Sequence, residues 1–193
     1  MLIVAECNMK LILTRHGRTI ANEAGILEGR LPGELSMFGI KQAEKLALRL
    51  KNEKLDCIYS SDAKRAVDTA MAVAKYHKKT PFKLALELRE NFLGSFEGKP
   101  NESIDWSNPP PDVESKTSLD LRAKKMIDKA YSECPSGTVL FVGHNAINKA
   151  LIRVITDDPA FSAKQQNASV SIFEIKEDKS HVIHCLNCVE HLE

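Results

Sequence analysis

Two segments of the chain place a histidine directly after a short apolar run. Residues 11–13 lead into Thr14-Arg15-His16-Gly17, and residues 138–142 lead into Gly143-His144-Asn145. An apolar run that ends at a glycine is typical of a buried strand that stops at a turn. Because open α/β sheets bind ligands at the carboxyl ends of their strands, we expect both histidines at one ligand site.

The neighbours of His16 favour one kind of chemistry, since it lies between Arg15 and Arg18. Neutral imidazole is a good nucleophile, and guanidinium groups bind the oxygens of a phosphoryl group. Arg65 falls in the first turn of a predicted helix, where the helix dipole favours a bound anion. Glu90, beside a glycine-containing turn, adds an acid. The chemistry of this combination would be phosphoryl transfer through a phosphohistidine. Taken alone, Arg15 and His16 also fit an ordinary polar strand end, and Arg65 also fits a surface arginine.

Strand and helix patterns alternate between these segments. Ser36 is a typical N-cap for an amphipathic helix, and Ser61 or Asp62 is expected to cap the next one. Such alternation is typical of an α/β fold with a parallel sheet. The predicted strands cover residues 10–13, 56–60, 82–86 and 138–142, with an edge hairpin at 169–175 and 182–186. The predicted helices cover residues 37–53, 63–73, 118–131 and 147–155.

Two long loops are expected over the site. Residues 20–35 contain three glycines and Pro32, so they are predicted to be irregular. Residues 91–117 contain Pro109-Pro110-Pro111 and are predicted to form a stiff cap loop. The cationic residues of that cap are only Lys99 and Lys116.

Length and composition limit the classes of function. The 193 residues fit one domain, with residues 1–8 as an extension before the first strand. With 27 basic and 26 acidic residues, the formal charge of +1 predicts no nucleic-acid or membrane partner. No apolar run approaches the roughly 18 residues of a membrane span. Five scattered cysteines and the lack of a basic leader predict reduced thiols in the cytoplasm, and a homodimer is left open.

A group of histidines and cysteines near residue 190 raises the question of a metal. Cys185 and Cys188 have the spacing of a zinc knuckle. A second such pair is missing, and strand alternation would send His184 and Cys185 to opposite faces. We therefore predict no metal site here. The group consists of His181, His184, Cys185, Cys188 and His191.

Five segments carry the residues named above in a fixed order. They are Leu13-Thr14-Arg15-His16-Gly17-Arg18-Thr19 with Asn22, Leu35-Ser36 with Gly39 and Gln42-Ala43, Tyr59-Ser60-Ser61-Asp62-Ala63-Lys64-Arg65-Ala66 with Thr69-Ala70, Leu88-Arg89-Glu90 with Gly94 and Phe96-Glu97-Gly98, and Val142-Gly143-His144-Asn145. In this order and spacing, from about residue 9 to residue 192, the chain resembles the histidine phosphatase (phosphoglycerate-mutase-like) superfamily.

The resemblance implies a fold and a set of roles. The fold would be a three-layer α/β/α arrangement around a mostly parallel central sheet. His16 would attack phosphorus, and Glu90 would protonate the leaving group and then activate water. Neither a metal nor another cofactor is implied. The other catalytic residues would be Arg15, Arg65 and His144, and the substrate-binding residues Arg15, Gly17, Thr19, Asn22, Arg65, His144 and Asn145.

Departures from the family pattern concern the rim of the expected pocket. Many members have an acidic residue where this chain has Arg18 and an aspartate where it has Pro32, so the rim here is more basic. Asn145 stands where glycine is frequent, as in some phosphatase branches. Ala21 occupies a tryptophan position of glycolytic mutases, whose long insertion is absent.

Three functions are compatible with this set of residues. We predict a metal-independent phosphomonoesterase that acts on a small phosphorylated metabolite. A phosphoglycerate mutase would use the same phosphohistidine, but the cap has few cations with which to hold a second anionic group. A non-catalytic module that binds a phosphorylated ligand ranks third, because both His16 and Glu90 are present.

Overall fold

The structure is a computed structural model that describes residues 8–193, so the predicted N-terminal extension lies outside it except for Asn8. Its six strands are β1 (Met9–Arg15), β2 (Cys57–Ser60), β3 (Phe82–Leu84), β4 (Thr138–Gly143), β5 (Val170–Ile175) and β6 (His181–Cys188). They form one sheet in the order β3-β2-β4-β1-β5-β6. The pairs β1/β4, β2/β4 and β2/β3 are parallel, and β1/β5 and β5/β6 are antiparallel.

Helices cover both faces of this sheet. They are α1 (Ile20–Glu23), α2 (Met37–Leu50), α3 (Lys64–Ala74), α4 (Lys116–Glu133) and α5 (Asn145–Thr156). One apolar core joins α2 and α3 to strand residues such as Ile12, and the other joins α4 and α5 to Leu11 and Leu13. Successive strand residues point to opposite faces, so β1 is buried on both. The predicted three-layer α/β/α fold with a mostly parallel sheet is confirmed.

The register of the central strands brings their carboxyl ends together. Arg15 pairs with Gly143 across β1 and β4. The N–H of His16 donates to the carbonyl of Gly143 at 3.0 Å, and the N–H of Ser61 donates to the carbonyl of Val142 at 3.0 Å. Three chain segments that follow strands are therefore fixed against one another by backbone hydrogen bonds.

Several element boundaries differ from the predictions. The helix after Ser36 ends at residue 50, and β3 gives way to a 3₁₀ turn at Leu86–Leu88. The loop of residues 20–35 contains the short helix α1. The predicted capping of α3 by Ser61 or Asp62 is wrong, because its N-cap is Ala63 without a side-chain hydrogen bond. The side chain of Asp62 pairs with Arg89. The hydroxyl of Ser61 faces His144 and also accepts from the N–H of the N-cap residue Ala63 at 3.3 Å, so it bonds to no N–H inside the helix.

The cap is shorter and more structured than predicted. It contains 3₁₀ turns at Gly94–Phe96 and Asn101–Ser103. Because the side chain of Ser115 accepts a hydrogen bond from the N–H of Ser118, α4 begins at Lys116. Lys116 therefore belongs to a helix, and its Nζ donates to the carbonyl of Pro159.

One arginine of α4 anchors both ends of the cap. Arg122 donates to the carbonyls of Glu87 at 2.7 Å and Arg89 at 3.0 Å, which lie just before the cap. Its Nε and Nη2 each lie 2.8 Å from a carboxylate oxygen of Glu114, which lies at the end of the cap. Although burial opposes the shift, hydrogen bonds from Arg122 and Ser118 lower the pKa of Glu114 to about 2.

Two further predictions concern membranes and metals. Along residues 8–193, no helix is both long and apolar enough to cross a membrane. The same residues hold no group of three or more His, Cys, Asp or Glu side chains arranged to bind a metal ion. Within the histidine and cysteine group near residue 190, His184 lies 3.4 Å from Glu174, and His191 faces the carbonyl of Ala168.

Candidate active site

The ring of His16 is held in one tautomer. Its Nδ1 lies 2.7 Å from the carbonyl oxygen of Gly17. Because a carbonyl only accepts, Nδ1 carries the proton and Nε2 keeps the lone pair that a nucleophile needs. The ring is 98% buried and lines a cavity.

The loop after His16 depends on glycine. A Cβ atom on Gly17 would lie 2.5 Å from the carbonyl oxygen of Gly39, and one on Gly39 would lie 1.8 Å from the carbonyl oxygen of Arg18. No side chain fits at either position. The start of α2 therefore packs directly against the loop that follows His16.

Arg15 and Arg65 are buried guanidinium groups held by backbone carbonyls. Arg15 Nη1 donates to the carbonyl of Gln165 at 2.9 Å. Arg65 donates to the carbonyls of Leu31 at 2.9 Å and Gly29 at 2.8 Å. The Nε atoms of both arginines are buried, with no hydrogen-bond partner in the described part of the chain. Such donors match the needs of phosphoryl oxygens.

His144 stands beside His16, with the two ring centroids 5.0 Å apart. Its Nε2 lies 2.9 Å from the hydroxyl of Ser61. The opposite nitrogen, Nδ1, is buried without a hydrogen-bond partner among the described residues. The side chain is thus oriented from one side by Ser61, and His144 is fully buried behind the residues that line the cavity beside His16.

Both histidines are electrostatically biased toward the neutral form. Burial, followed by Arg15 and Arg65, lowers the pKa of His16 well below its ordinary value. Burial, followed by His16 and Arg65, does the same to the pKa of His144. A neutral His16 is the reactive form of a nucleophile. A phosphoryl dianion beside His144 would act in the opposite direction and favour its protonated form.

Glu90 is docked on the beginning of α5. Its Oε1 accepts from the N–H of Asn91 at 2.9 Å and from the N–H of Ala146 at 3.0 Å. Ala146 lies in the first turn of α5, where the helix dipole favours a carboxylate. The carboxyl group is therefore fixed relative to His144, the N-cap residue of the same helix.

A cavity of about 390 Å³ opens between these groups. The predicted residues in its lining are Arg15, His16, Asn22, Arg65, Glu90 and Asn145. Asn22 donates to Glu28 at 3.1 Å, and the side-chain oxygen of Asn145 accepts from the N–H of Gln165 at 3.0 Å. Both amides are thus oriented by neighbouring side chains or backbone.

Gly17 and Thr19, which were also predicted to bind substrate, are not among the residues that line this cavity. The N–H of Gly17 donates to the hydroxyl of Thr69 at 3.0 Å. Thr19 is fully buried, caps α1, and donates to Glu28 at 2.8 Å. In this structure both groups are occupied by contacts within the protein and shape the loop around Asn22.

The sequence did not indicate two charged residues of the cavity lining. Glu28 is 8% exposed, its Oε2 lies 3.9 Å from Arg65 Nε, and its Oε1 is buried without a partner among the described residues. Lys149 enters from α5. The positions of both residues depend on how a loop and a helix face the cavity. In the sequence, the signal for them was weak: each lies close to a predicted site residue, Glu28 six residues after Asn22 and Lys149 five residues after His144.

The family of the protein follows from this arrangement and its sequence. A sequence profile of the histidine phosphatase superfamily (branch 1) matches residues 11–188. The chain belongs to this superfamily. The predicted resemblance and the predicted enzyme class, a phosphoric monoester hydrolase, are therefore confirmed.

Relatives within the histidine phosphatase superfamily have several activities. The metal-independent phosphoserine phosphatase of Arabidopsis thaliana is 29% identical, over 95% of this chain and 83% of that protein. Phosphoserine phosphatase 1 of Hydrogenobacter thermophilus is 30% identical, over 95% of this chain and 94% of that protein. The adenosylcobalamin/alpha-ribazole phosphatase of Salmonella typhimurium is 30% identical, over 80% of this chain and 83% of that protein.

Solved structures of the superfamily have the same architecture. Bacillus stearothermophilus YhfR is 27% identical, with a TM-score of 0.88 over 96% of this chain and all of that one. The phosphoglycerate mutase of Bacillus anthracis is 26% identical, with a TM-score of 0.84 over 97% of this chain and 96% of that one. A phosphoglycerate mutase therefore shares this backbone, and side chains must distinguish a phosphatase from a mutase.

Proposed function

We propose that the protein hydrolyses small phosphomonoesters through a phosphohistidine on His16, without a metal ion. The observation that carries the proposal is the 2.7 Å contact of Nδ1 with the carbonyl of Gly17, which leaves Nε2 as the nucleophilic atom. The relatives named as phosphoserine and alpha-ribazole phosphatases support a small phosphorylated metabolite as substrate. A single domain, a cytoplasmic location and the option of a homodimer remain predictions from the sequence.

The first step forms the phosphoenzyme. The lone pair of His16 Nε2 attacks phosphorus, and the bond between phosphorus and the ester oxygen breaks. Glu90, in its protonated form, gives its proton to the departing alkoxide. Arg15 and Arg65 hold the non-bridging oxygens, and their charge serves where a metal ion serves in other phosphotransferases. His144, with its unpartnered Nδ1, stabilises the same oxygens.

The second step releases phosphate. Glu90, now a carboxylate, takes a proton from water, and the water oxygen attacks phosphorus. The bond between phosphorus and His16 Nε2 breaks, and its electron pair returns to the ring. Inorganic phosphate leaves, and Glu90 is protonated again for the next cycle. Both steps use groups already oriented by backbone hydrogen bonds.

Trapping the phosphoenzyme tests this proposal. The protein is mixed with an aryl phosphate in the presence of a chelator, denatured rapidly, and digested for mass spectrometry. We expect steady phosphate release in chelator and an acid-labile phosphoryl group on the peptide that contains His16. Turnover without any labelled histidine, or turnover that requires an added metal, would contradict the mechanism. Phosphate binding without turnover would favour the non-catalytic module.

A mutase is the second candidate, because a phosphoglycerate mutase shares the fold. A mutase must protect its phosphoenzyme from water while the sugar acid reorients. We expect that, with a phosphoglycerate and traces of the bisphosphate, phosphate release outruns isomer exchange. A phosphorus NMR time course measures both rates in one sample. Isomer exchange faster than phosphate release would identify a mutase.

A further inference from the structure

A second cavity adjoins the first on the side of α5. Its volume is about 800 Å³, and it shares with the first cavity Arg15, Asn22, Ile26, Leu27, Asn101, Asn145 and Lys149. A phosphomonoester whose phosphorus lies beside His16 would have its leaving group near this shared wall. The second cavity is therefore positioned to receive the part of a substrate that is not phosphate.

The charges that line this second cavity are mostly positive. Four of its residues are cationic, namely Arg15, Arg18, Lys149 and Lys164, and one, Glu193, is acidic. Arg15 also lines the first cavity, where its guanidinium faces the expected phosphoryl group. Arg18, whose Nε lies 4.0 Å from Glu23, is the basic departure from the family pattern noted in the sequence. Three cations thus remain for a second anionic group.

Lys149 is the centre of this arrangement. It lines both cavities, is partly buried, and forms no ion pair with any carboxylate in the described part of the chain. Burial, together with Arg153, Arg15 and Lys164, lowers its pKa against the opposing attraction of Glu90. A cation that is desolvated and surrounded by like charge is stabilised by a bound anion.

Resting on the proposed function, we infer that Lys149, assisted by Lys164, binds a carboxylate or other anionic group on the leaving group of the substrate. The preferred substrates are then phosphomonoesters of hydroxy acids or of similar anionic alcohols. The prediction that the protein has little with which to hold a second anionic group considered only the cap. The structure provides the cations from α5 and from the loop before β5 instead.

A matched pair of substrates tests the subsite. The compounds 3-phosphoglycerate and glycerol 3-phosphate differ by a carboxylate in place of a hydroxymethyl group. In Lys149→Gln we expect kcat/KM for 3-phosphoglycerate to fall roughly tenfold or more, since hydrogen bonds to charged groups are strong when partly buried. For glycerol 3-phosphate we expect a change within about twofold. Lys164→Gln should give a smaller loss in the same direction, because Lys164 is exposed.

Lys129→Gln is the control, because Lys129 is an exposed lysine of α4 that lines neither cavity. It should change neither substrate. An equal loss for both substrates in Lys149→Gln would overturn the subsite, because Lys149 would then act on the chemistry or on folding. No change for either substrate would overturn it as well.

Binding to an inactive variant separates this inference from the proposed function. Calorimetry with 3-phosphoglycerate compares His16→Ala with the double variant His16→Ala/Lys149→Gln. A roughly tenfold weaker affinity in the double variant supports the subsite, even if the wild-type protein proves inactive as a phosphatase. Equal affinities for the two variants would overturn it.

Discussion

The ends of β1 and β4 share one local plan and differ in chemistry. Both strands are buried and parallel, each ends beside a histidine, and the two rings are 5.0 Å apart. At the end of β1, Nδ1 of His16 faces the carbonyl of Gly17. At the end of β4, Nε2 of His144 faces the hydroxyl of Ser61. The two histidines are therefore distinguished by the partner behind the ring.

The partner matters because the two groups constrain a proton differently. A carbonyl only accepts, so it fixes the tautomer of His16 and keeps Nε2 ready to attack. A hydroxyl both donates and accepts, so Ser61 is compatible with either tautomer of His144 and with its protonated form. A fixed tautomer suits a nucleophile, and an adjustable one suits a group that must follow charge as it develops on phosphoryl oxygens.

The largest expected effect separates the two histidines directly. His16→Asn should lower kcat by at least roughly 10⁴ and abolish phosphoenzyme labelling, because the nucleophile is lost. His144→Asn should lower kcat by roughly 10² to 10³, the usual cost of one transition-state hydrogen-bond donor, but should retain labelling. Stopped-time labelling and steady-state rates measure both. If the phosphoryl group is found on His144, the roles assigned to the two histidines are reversed.

Glu90 belongs to the β4 side of the comparison between the two strand ends, because its carboxylate bonds to the helix that follows His144. Glu90→Gln should slow alkyl phosphates by roughly 10² to 10⁴, because alkoxides need a proton to leave. Nitrophenyl phosphate should be slowed far less in the labelling step, because its leaving group is stable as an anion. Burst kinetics with the two substrates measure this difference. Equal slowing would mean that Glu90 is not the acid.

A smaller fall in kcat is expected when the hydroxyl behind His144 is removed, and the neighbouring Ser60 serves as the control. Ser61→Ala removes the group behind His144, and we expect kcat to fall by roughly 3- to 30-fold, in line with the loss of one hydrogen bond to the ring. Ser60→Ala is the control, because the hydroxyl of Ser60 donates to the carbonyl of Ser61 and contacts neither ring. A larger rate loss in Ser60→Ala would show that backbone geometry, and not the hydroxyl of Ser61, orients His144.

The smallest effect concerns stability in acid. The pKa of His16 is lowered in the folded protein, mainly by burial and then by Arg15 and Arg65, while in the unfolded chain it is about 6.5. Above that pH, both states leave the ring neutral. Below it, the unfolded chain binds a proton that the folded protein refuses, so the free energy of unfolding falls by about 1 kcal/mol per pH unit.

Replacing His16 should remove this loss of stability in acid. Between about pH 7.5 and pH 5.5, the free energy of unfolding should fall by roughly 1 kcal/mol less in His16→Asn than in the wild type, because the unfolded ring takes up its proton only below about pH 6.5. Chemical denaturation at the two pH values measures the difference. Equal acid losses in the two proteins would show that His16 titrates as it does in the unfolded chain.

The sequence predicted features that depend on local pattern. The apolar runs before His16 and His144 are sufficient to identify β1 and β4, and the position of both strand ends at one edge of the sheet follows from the α/β alternation. Arg65 was predicted in the first turn of a helix and lies there. The order of motifs also identified the superfamily, because each motif marks a turn at the same edge of the sheet.

The remaining features depend on contacts between distant residues. Ser61 was predicted as a helix cap because serine is common there, yet its partner His144 is 83 residues away. The position of Glu28 depends on a loop that folds back over Arg65, and no periodic pattern predicts such a loop. Lys149 lies on a helix whose spacing shows which side is polar but not which cavity that side meets.

Because Arg122 holds both ends of the cap, the segment between those ends can change without moving them. The guanidinium of Arg122 holds the carbonyls before residue 91 and the carboxylate of Glu114, so the entry and the exit of the cap share an anchor. Arg30 adds a second, because it donates to the carbonyl of Glu90 and to the carboxylate of Glu114. Insertions or deletions between those points would leave the position of Glu90 nearly unchanged, because loop length costs little free energy once the ends are fixed. The length and sequence of the cap can therefore change, and the wall of the cavity with it, while Glu90 stays in place.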